Sequence, residues 1–134
     1  MKKYVVASGY FDPLHNGHIE YLEKSKSLGD VLIVIVNNDK QAELKKGKPF
    51  MKAKERVKVV RSIECVDVAI EASDNDRTVC KTLAQIHPHI FTNGGDQFND
   101  NIPESSICKE LDIKMVDNLG DKIQSSSWLI KNCK

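Results

Sequence analysis

Apolar positions along the chain fall into short continuous runs separated by stretches with helical spacing. Tyr4, Val5, Val6 and Ala7 form a first run, and V-L-I-V-I-V at 31–36 forms a second with no polar face, the pattern of a strand buried on both sides. Between them, residues 17–28 carry an apolar stripe at helical spacing that stops at Gly29, a residue suited to helix termination. A lysine-rich connection follows the second strand. The same rhythm then predicts helices at 53–63, 76–86 and near 103–111, strands at 66–70, 89–93 and 113–117, and a C-terminal helix from about 126. Five strands alternating with helices imply right-handed crossovers. The expected architecture is therefore α/β: a Rossmann-like, doubly wound single domain over 1–134, with a parallel five-stranded sheet and helices on both faces. The sequence holds no repeat, low-complexity segment or domain linker, and 134 residues support one modest core.

Composition narrows the partners. Twenty lysines and arginines stand against nineteen aspartates and glutamates, and aromatic residues make up 6% of the chain, so neither net charge nor stacking capacity suggests a nucleic acid partner. Cys65, Cys80, Cys108 and Cys133 are scattered without a C-x-x-C pair, which fits reduced cytosolic thiols better than a disulfide framework. The run behind Met1, Lys2 and Lys3 is too short for a signal segment, and no apolar stretch reaches the roughly 18 residues of a membrane span. A soluble, cytoplasmic protein with no membrane partner is expected.

In a sheet of this kind ligands bind beyond the carboxyl ends of the strands. After the first strand comes S-G-Y-F-D-P-L-H-N-G-H, residues 8–18. A strand, a glycine-containing turn and a helix N-terminus in succession favour an anion, because the first helical N–H groups lack partners and the dipole is positive there. His15 and His18, at i and i+3, can share one helix face and address one phosphorus centre. Gly17 between them and Gly9 on the strand side lack the Cβ that would crowd a phosphate or hold a ligand away from the backbone. A zinc pair is the competing reading of H-x-x-H, but no cysteine or third histidine stands nearby at ligand spacing, and no metal ligand is assigned.

Four other stretches admit more than one reading. Asn37, Asn38 and Asp39 after the second strand suit either a polar turn or a site contact. Residues 45–56, K-K-G-K-P-F-M-K-A-K-E-R, read as a mobile basic loop that serves as a solvated face, a nucleic acid patch or a lid over phosphates. F-T-N-G-G-D-Q at 91–97 is a tight turn or a ligand contact, and Ser125, Ser126 and Ser127 are a helix N-cap or a phosphate grip.

Gly9, Phe11, Asp12, His15, Gly17 and His18 reproduce the G-x-F-D-x-x-H-x-G-H signature, and on it the chain resembles the cytidylyltransferase-like nucleotidyltransferases, relatives of the H-I-G-H class. The resemblance spans essentially the whole chain. It implies transfer of a nucleotidyl group, with release of pyrophosphate, from a nucleoside triphosphate to a phosphorylated alcohol or sugar. His15, His18 and Lys46 would be the catalytic residues. Gly9, Tyr10, Phe11, Asp12, Gly17, Asn93, Gly95, Asp96, Ser125, Ser126 and Ser127 would bind nucleotide, and Asp39, Lys48 and Arg56 the acceptor, with Arg56 turned toward the site or a subunit interface. Asp67 matches a V-D pair at the start of the third strand. Magnesium would arrive with the triphosphate, and homodimers are common in such a family. The length and overall signature favour CTP, whereas N-G-G-D at 93–96 and the lack of an arginine before Ser125 resemble the branch that uses ATP on a sugar phosphate such as a heptose 1-phosphate. A nucleotide-binding regulatory module is the alternative of another class, although such a module need not keep both histidines.

Overall fold

The computed structural model describes residues 2–11, 14–46, 51–76, 78–94 and 103–119. In chain order the elements are β1 (Tyr4–Gly9), α1 (Asn16–Lys26), β2 (Val31–Val36), α2 (Asp39–Lys46), α3 (Ala53–Arg61), β3 (Val68–Glu71), α4 (Cys80–Ile86), β4 (Ile90–Gly94), α5 (Glu104–Glu110) and β5 (Lys114–Leu119). All five strands are parallel, in the order β3-β2-β1-β4-β5. Strand order reverses between β1 and β4, which puts the topological switch point between these two central strands.

The alternation of side chains decides which helices cover which face. Val5, Ala7, Leu32, Val34 and Val36 point to the side where Tyr21 and Leu22 of α1 and Val60 of α3 pack. Val6, Ile35 and Phe91 point to the other, against Val79, Leu83, Cys108 and Ile113 beside and on α4 and α5. The doubly wound arrangement expected from the pattern is thus present, and β2 is buried on both faces.

Where boundaries differ from expectation, hydrogen bonds supply the reason. β1 continues past Ala7 because Ser8 and Gly9 pair with Ile35 and Val36, so its length follows its neighbour rather than its own apolar run. The lysine-rich connection after β2 contains a helix, α2. Its start is fixed by a reciprocal cap in which Asn38 Oδ1 accepts from Gln41 N at 2.8 Å and Gln41 Oε1 accepts from Asn38 N at 2.9 Å. α4 begins at Cys80 rather than 76, because Asp74 accepts from Lys81 N and Thr82 N, and Glu104 accepts from Val79 N. The C-terminal helix expected from about 126 lies outside the described residues. So do Asp12, Lys48, Gly95, Asp96, Ser125, Ser126 and Ser127.

Candidate active site

The chain leaves β1 through Gly9 and Tyr10 and turns at Phe11, whose φ of 51° lies in the left-handed region that a phenylalanine adopts only under constraint. The constraint is packing. The Phe11 ring, 2% exposed, folds back over Gly9, where an added Cβ would stand 2.9 Å from Phe11 Cζ. Gly9 was expected to admit a ligand to the strand backbone. Its open side is instead filled by Phe11, which in turn supports His18 with its ring edge-on, the centroids 5.1 Å apart.

His15 is the N-cap of α1, with extended backbone at φ −140° and ψ 178°. Its Nδ1 accepts from Gly17 N at 3.1 Å, and its own N–H donates to His18 Nδ1 at 3.1 Å. The two histidines therefore form a capping box usually built from serine and glutamate. The imidazoles lie 3.8 Å apart between centroids at a tilt of 30°. Each Nδ1 is occupied as an acceptor, so the proton of each ring sits on Nε2, leaving both Nε2–H groups as donors. Burial, and secondarily the neighbouring His15, push the His18 pKa down to about 4, so His18 is neutral near pH 7. The first turn of α1 has no acidic residue and the last turn carries Lys24 and Lys26, an arrangement that leaves the positive end of the dipole open to an anion.

Arg56, from α3, braces the same loop from beneath. It is fully buried and its guanidinium donates to Tyr10 O at 2.9 Å, Asn37 O at 2.7 Å, Met51 O at 2.8 Å and Asp39 Oδ1 at 3.0 Å. Asp39 also accepts from Ala53 N at 2.8 Å. Expected as acceptor contacts, Arg56 and Asp39 are bound here to each other and to the carboxyl ends of β1 and β2. A guanidinium with internal partners on all three nitrogens suits a brace better than an exposed ligand hook. Asp67 has a comparable role, accepting from Lys26 at 2.5 Å and from Leu32 N at 2.8 Å, contacts that hold its carboxyl below the usual range.

The opposite wall of the switch point is the end of β4. Thr92 is fully buried, and Asn93 is 7% exposed with no hydrogen-bond partner for Nδ2 among the described residues. Lys46 closes α2, and its side chain lies outside the described atoms. The structure thus gathers His15, His18, Gly17, Phe11 and Gly9 at the end of β1, with Tyr10 held by Arg56 and Asn93 on the facing strand. Sequence reasoning missed Tyr21, Ser25 and Thr92, whose hydroxyls link α1 to β1 and β4. A signal was available: Tyr21 and Ser25 place hydroxyls at i+3 and i+7 from His18, on the helix's inward face.

A doubly wound sheet with two adjacent imidazoles at a helix N-terminus beside the switch point is an arrangement that favours an anionic ligand. The family model described as cytidylyltransferase-like matches residues 6–132, and the chain belongs to this family of nucleotidyltransferases. It is 36% identical to the FAD synthase of Methanocorpusculum labreanum over 136 residues, covering 97% of this chain and 94% of that one. It is also 36% identical to the bifunctional protein HldE of Desulfatibacillum aliphaticivorans over 117 residues, or 86% of this chain, and there it spans 24% of the longer protein. Among solved structures it resembles the lipopolysaccharide core biosynthesis protein of Thermoplasma volcanium. The TM-score is 0.77 at 31% identity, covering 90% of this chain and 98% of that one. None of the helices described is long and apolar enough to cross a membrane.

Proposed function

We propose that the enzyme transfers AMP from ATP to the phosphate of a small phosphorylated acceptor and releases pyrophosphate. The observation that carries this reading is the interlocked pair His15 and His18, two imidazoles whose Nδ1 atoms are used internally and whose Nε2–H groups remain as donors at the positive end of α1. Such donors stabilise charge on phosphate oxygens without moving a proton. An oxygen of the acceptor phosphate, already anionic, attacks the α-phosphorus. The bond from that phosphorus to the bridging oxygen breaks, and its electron pair leaves with pyrophosphate. No covalent enzyme intermediate and no general base are required, so the protein's work is positioning and charge stabilisation. The site's donor set, imidazole N–H and main-chain N–H, suits phosphate oxygens and not a hard cation, so magnesium in this reading rides on the triphosphate oxygens.

ATP is preferred over the CTP expected from the compact length. A relative matched over 94% of its length is an FAD synthase, whose product, flavin adenine dinucleotide, contains an adenine nucleotide. The N-G-G-D sequence at 93–96 supports the same branch. Asn93, with its amide nitrogen lacking a partner among the described residues, is the candidate to read the base. The deciding experiment is a pyrophosphate-release screen that crosses the four nucleoside triphosphates with glycerol phosphate, sugar 1-phosphates and FMN. The expected outcome is a kcat/KM for ATP at least about tenfold above that for CTP. The reverse preference would overturn the adenylyl assignment and leave nucleotidyl transfer in place.

A further inference from the structure

At the switch point β1 and β4 must part to open the crevice, and the parting strands lose hydrogen-bond partners. β1 pairs with β4 through Val5↔Ile90, Val6↔Phe91 and Ala7↔Thr92, whereas it pairs with β2 two residues further, through Ser8 and Gly9. Where the β1–β4 ladder stops, the hydroxyl of Tyr21 takes over. It accepts from Ser8 N at 3.3 Å and donates to Thr92 O at 2.8 Å, so one phenolic oxygen bridges the two strands that have separated. The Thr92 hydroxyl stands 3.3 Å from Tyr21 Oη and 2.8 Å from Ser25 Oγ, and Ser25 Oγ lies 2.8 Å from Tyr21 O. Tyr21 is 5% exposed, and Ser25 and Thr92 are fully buried. Leaving the buried Thr92 C=O unpaired in such a seam costs about 1–3 kcal/mol, and the part-buried Ser8 N–H adds a smaller penalty, which gives the bridge an energetic reason to persist.

We propose that the Tyr21 hydroxyl is a positioning group for the reaction: by replacing strand pairing where β1 and β4 part, it holds the crevice open and fixes the height at which α1 presents His18. His18 and Tyr21 are three residues apart on one helix face, so an anchor at Tyr21 sets both the rotation and the advance of α1 at the histidine. A phenol is long and rigid enough to reach the seam from a helix axis, and a single oxygen can donate and accept at once. The role rests on the transfer chemistry proposed above.

The test is Tyr21→Phe, measured in three ways on the full chain. Exchange of the Ser8 amide hydrogen should accelerate at least about tenfold. Affinity for ATP alone, by calorimetry, should stay within about threefold, while kcat falls on the order of 10–100-fold because the histidine is displaced at the reacting centre. Ser25→Ala, which leaves the Ser8–Tyr21–Thr92 bridge intact, should keep kcat within about threefold of wild type. Unchanged Ser8 exchange, a kcat close to wild type, equal losses in kcat and ATP affinity, or equal losses in both variants would each overturn the proposal. Should Tyr21→Phe not fold, exchange of the Ser8 amide in the wild type decides, since rapid exchange there is incompatible with the bridge. Absence of turnover by the wild type would count against the proposed reaction alone, because amide exchange and ATP affinity read the bridge without it.

Discussion

His15 and His18 cap one another: the His15 amide donates to His18 Nδ1, the His15 ring accepts from Gly17 N, and the two imidazole centroids lie 3.8 Å apart with the rings tilted by 30°. One arrangement thus starts helix α1, selects the tautomer of both rings and sets the two Nε2–H donors beside each other. Capping and chemistry are nonetheless separable by substitution.

Asparagine is among the best N-cap residues, so His15→Asn should retain the helix start while removing the Nε2–H donor. Its melting temperature should stay close to wild type, whereas turnover falls on the order of 10²–10³, the usual loss for one preorganised donor. His18→Ala should show a loss of similar size. Near wild-type pyrophosphate release from both variants would remove the histidines from the mechanism.

The depressed pKa of His18 also sets a pH window for stability. Its folded value of about 4 lies below the ordinary 6.5, so the unfolded chain binds a proton that the folded chain refuses. Its contribution is fully present above about pH 6.5 and is lost as pH falls from there toward 4. Urea midpoints measured at pH 7 and pH 5 should therefore differ more in the wild type than in His18→Gln. Equal differences would place the acid sensitivity elsewhere.

Arg56 and Asp39 should behave as structural partners of unequal weight. Arg56→Ala strips the donor from three main-chain carbonyls and one carboxylate, and should destabilise by on the order of 3 kcal/mol in urea unfolding. Asp39 is partly exposed, so Asp39→Asn, which keeps an oxygen for Ala53 N, should cost no more than about 1 kcal/mol. If Arg56→Ala were as stable as wild type and impaired only acceptor KM, direct contact with acceptor would be the better account.

Lys46 follows from the family resemblance and from its place at the end of α2. Lys46→Ala should reduce turnover severely, whereas Lys52→Ala and Lys54→Ala, at exposed positions of the segment entering α3, should change stability by no more than about 0.5 kcal/mol and leave turnover near wild type. Similar modest losses in all three would favour a diffuse basic patch.

The sequence by itself determined the layer architecture and the strand-to-helix junction at which the two histidines meet. The run at 31–36 has no polar face and can only be a strand covered on both sides, and alternation of strands with helices then forces parallel pairing with helices on both faces. H-N-G-H at a strand-to-helix junction is a pattern that favours an anion through local spacing and the N–H groups of a helix start, and both signals are contained within a few residues. What only the tertiary structure decided involves partners distant in the chain. The family resemblance implies that Asp39 and Arg56 contact the acceptor. The fold instead brings Arg56 under Tyr10, 46 positions away, where its fork is consumed by carbonyls. Gly9 looks open until Phe11 folds over it. Tyr21 reads as an ordinary apolar residue of a helix face, and the 71 positions between it and Thr92 hide the gap that its hydroxyl spans. Periodicity reports which face of an element is buried. It carries no record of which buried polar groups meet, because those meetings depend on the crossovers that fold the chain back on itself.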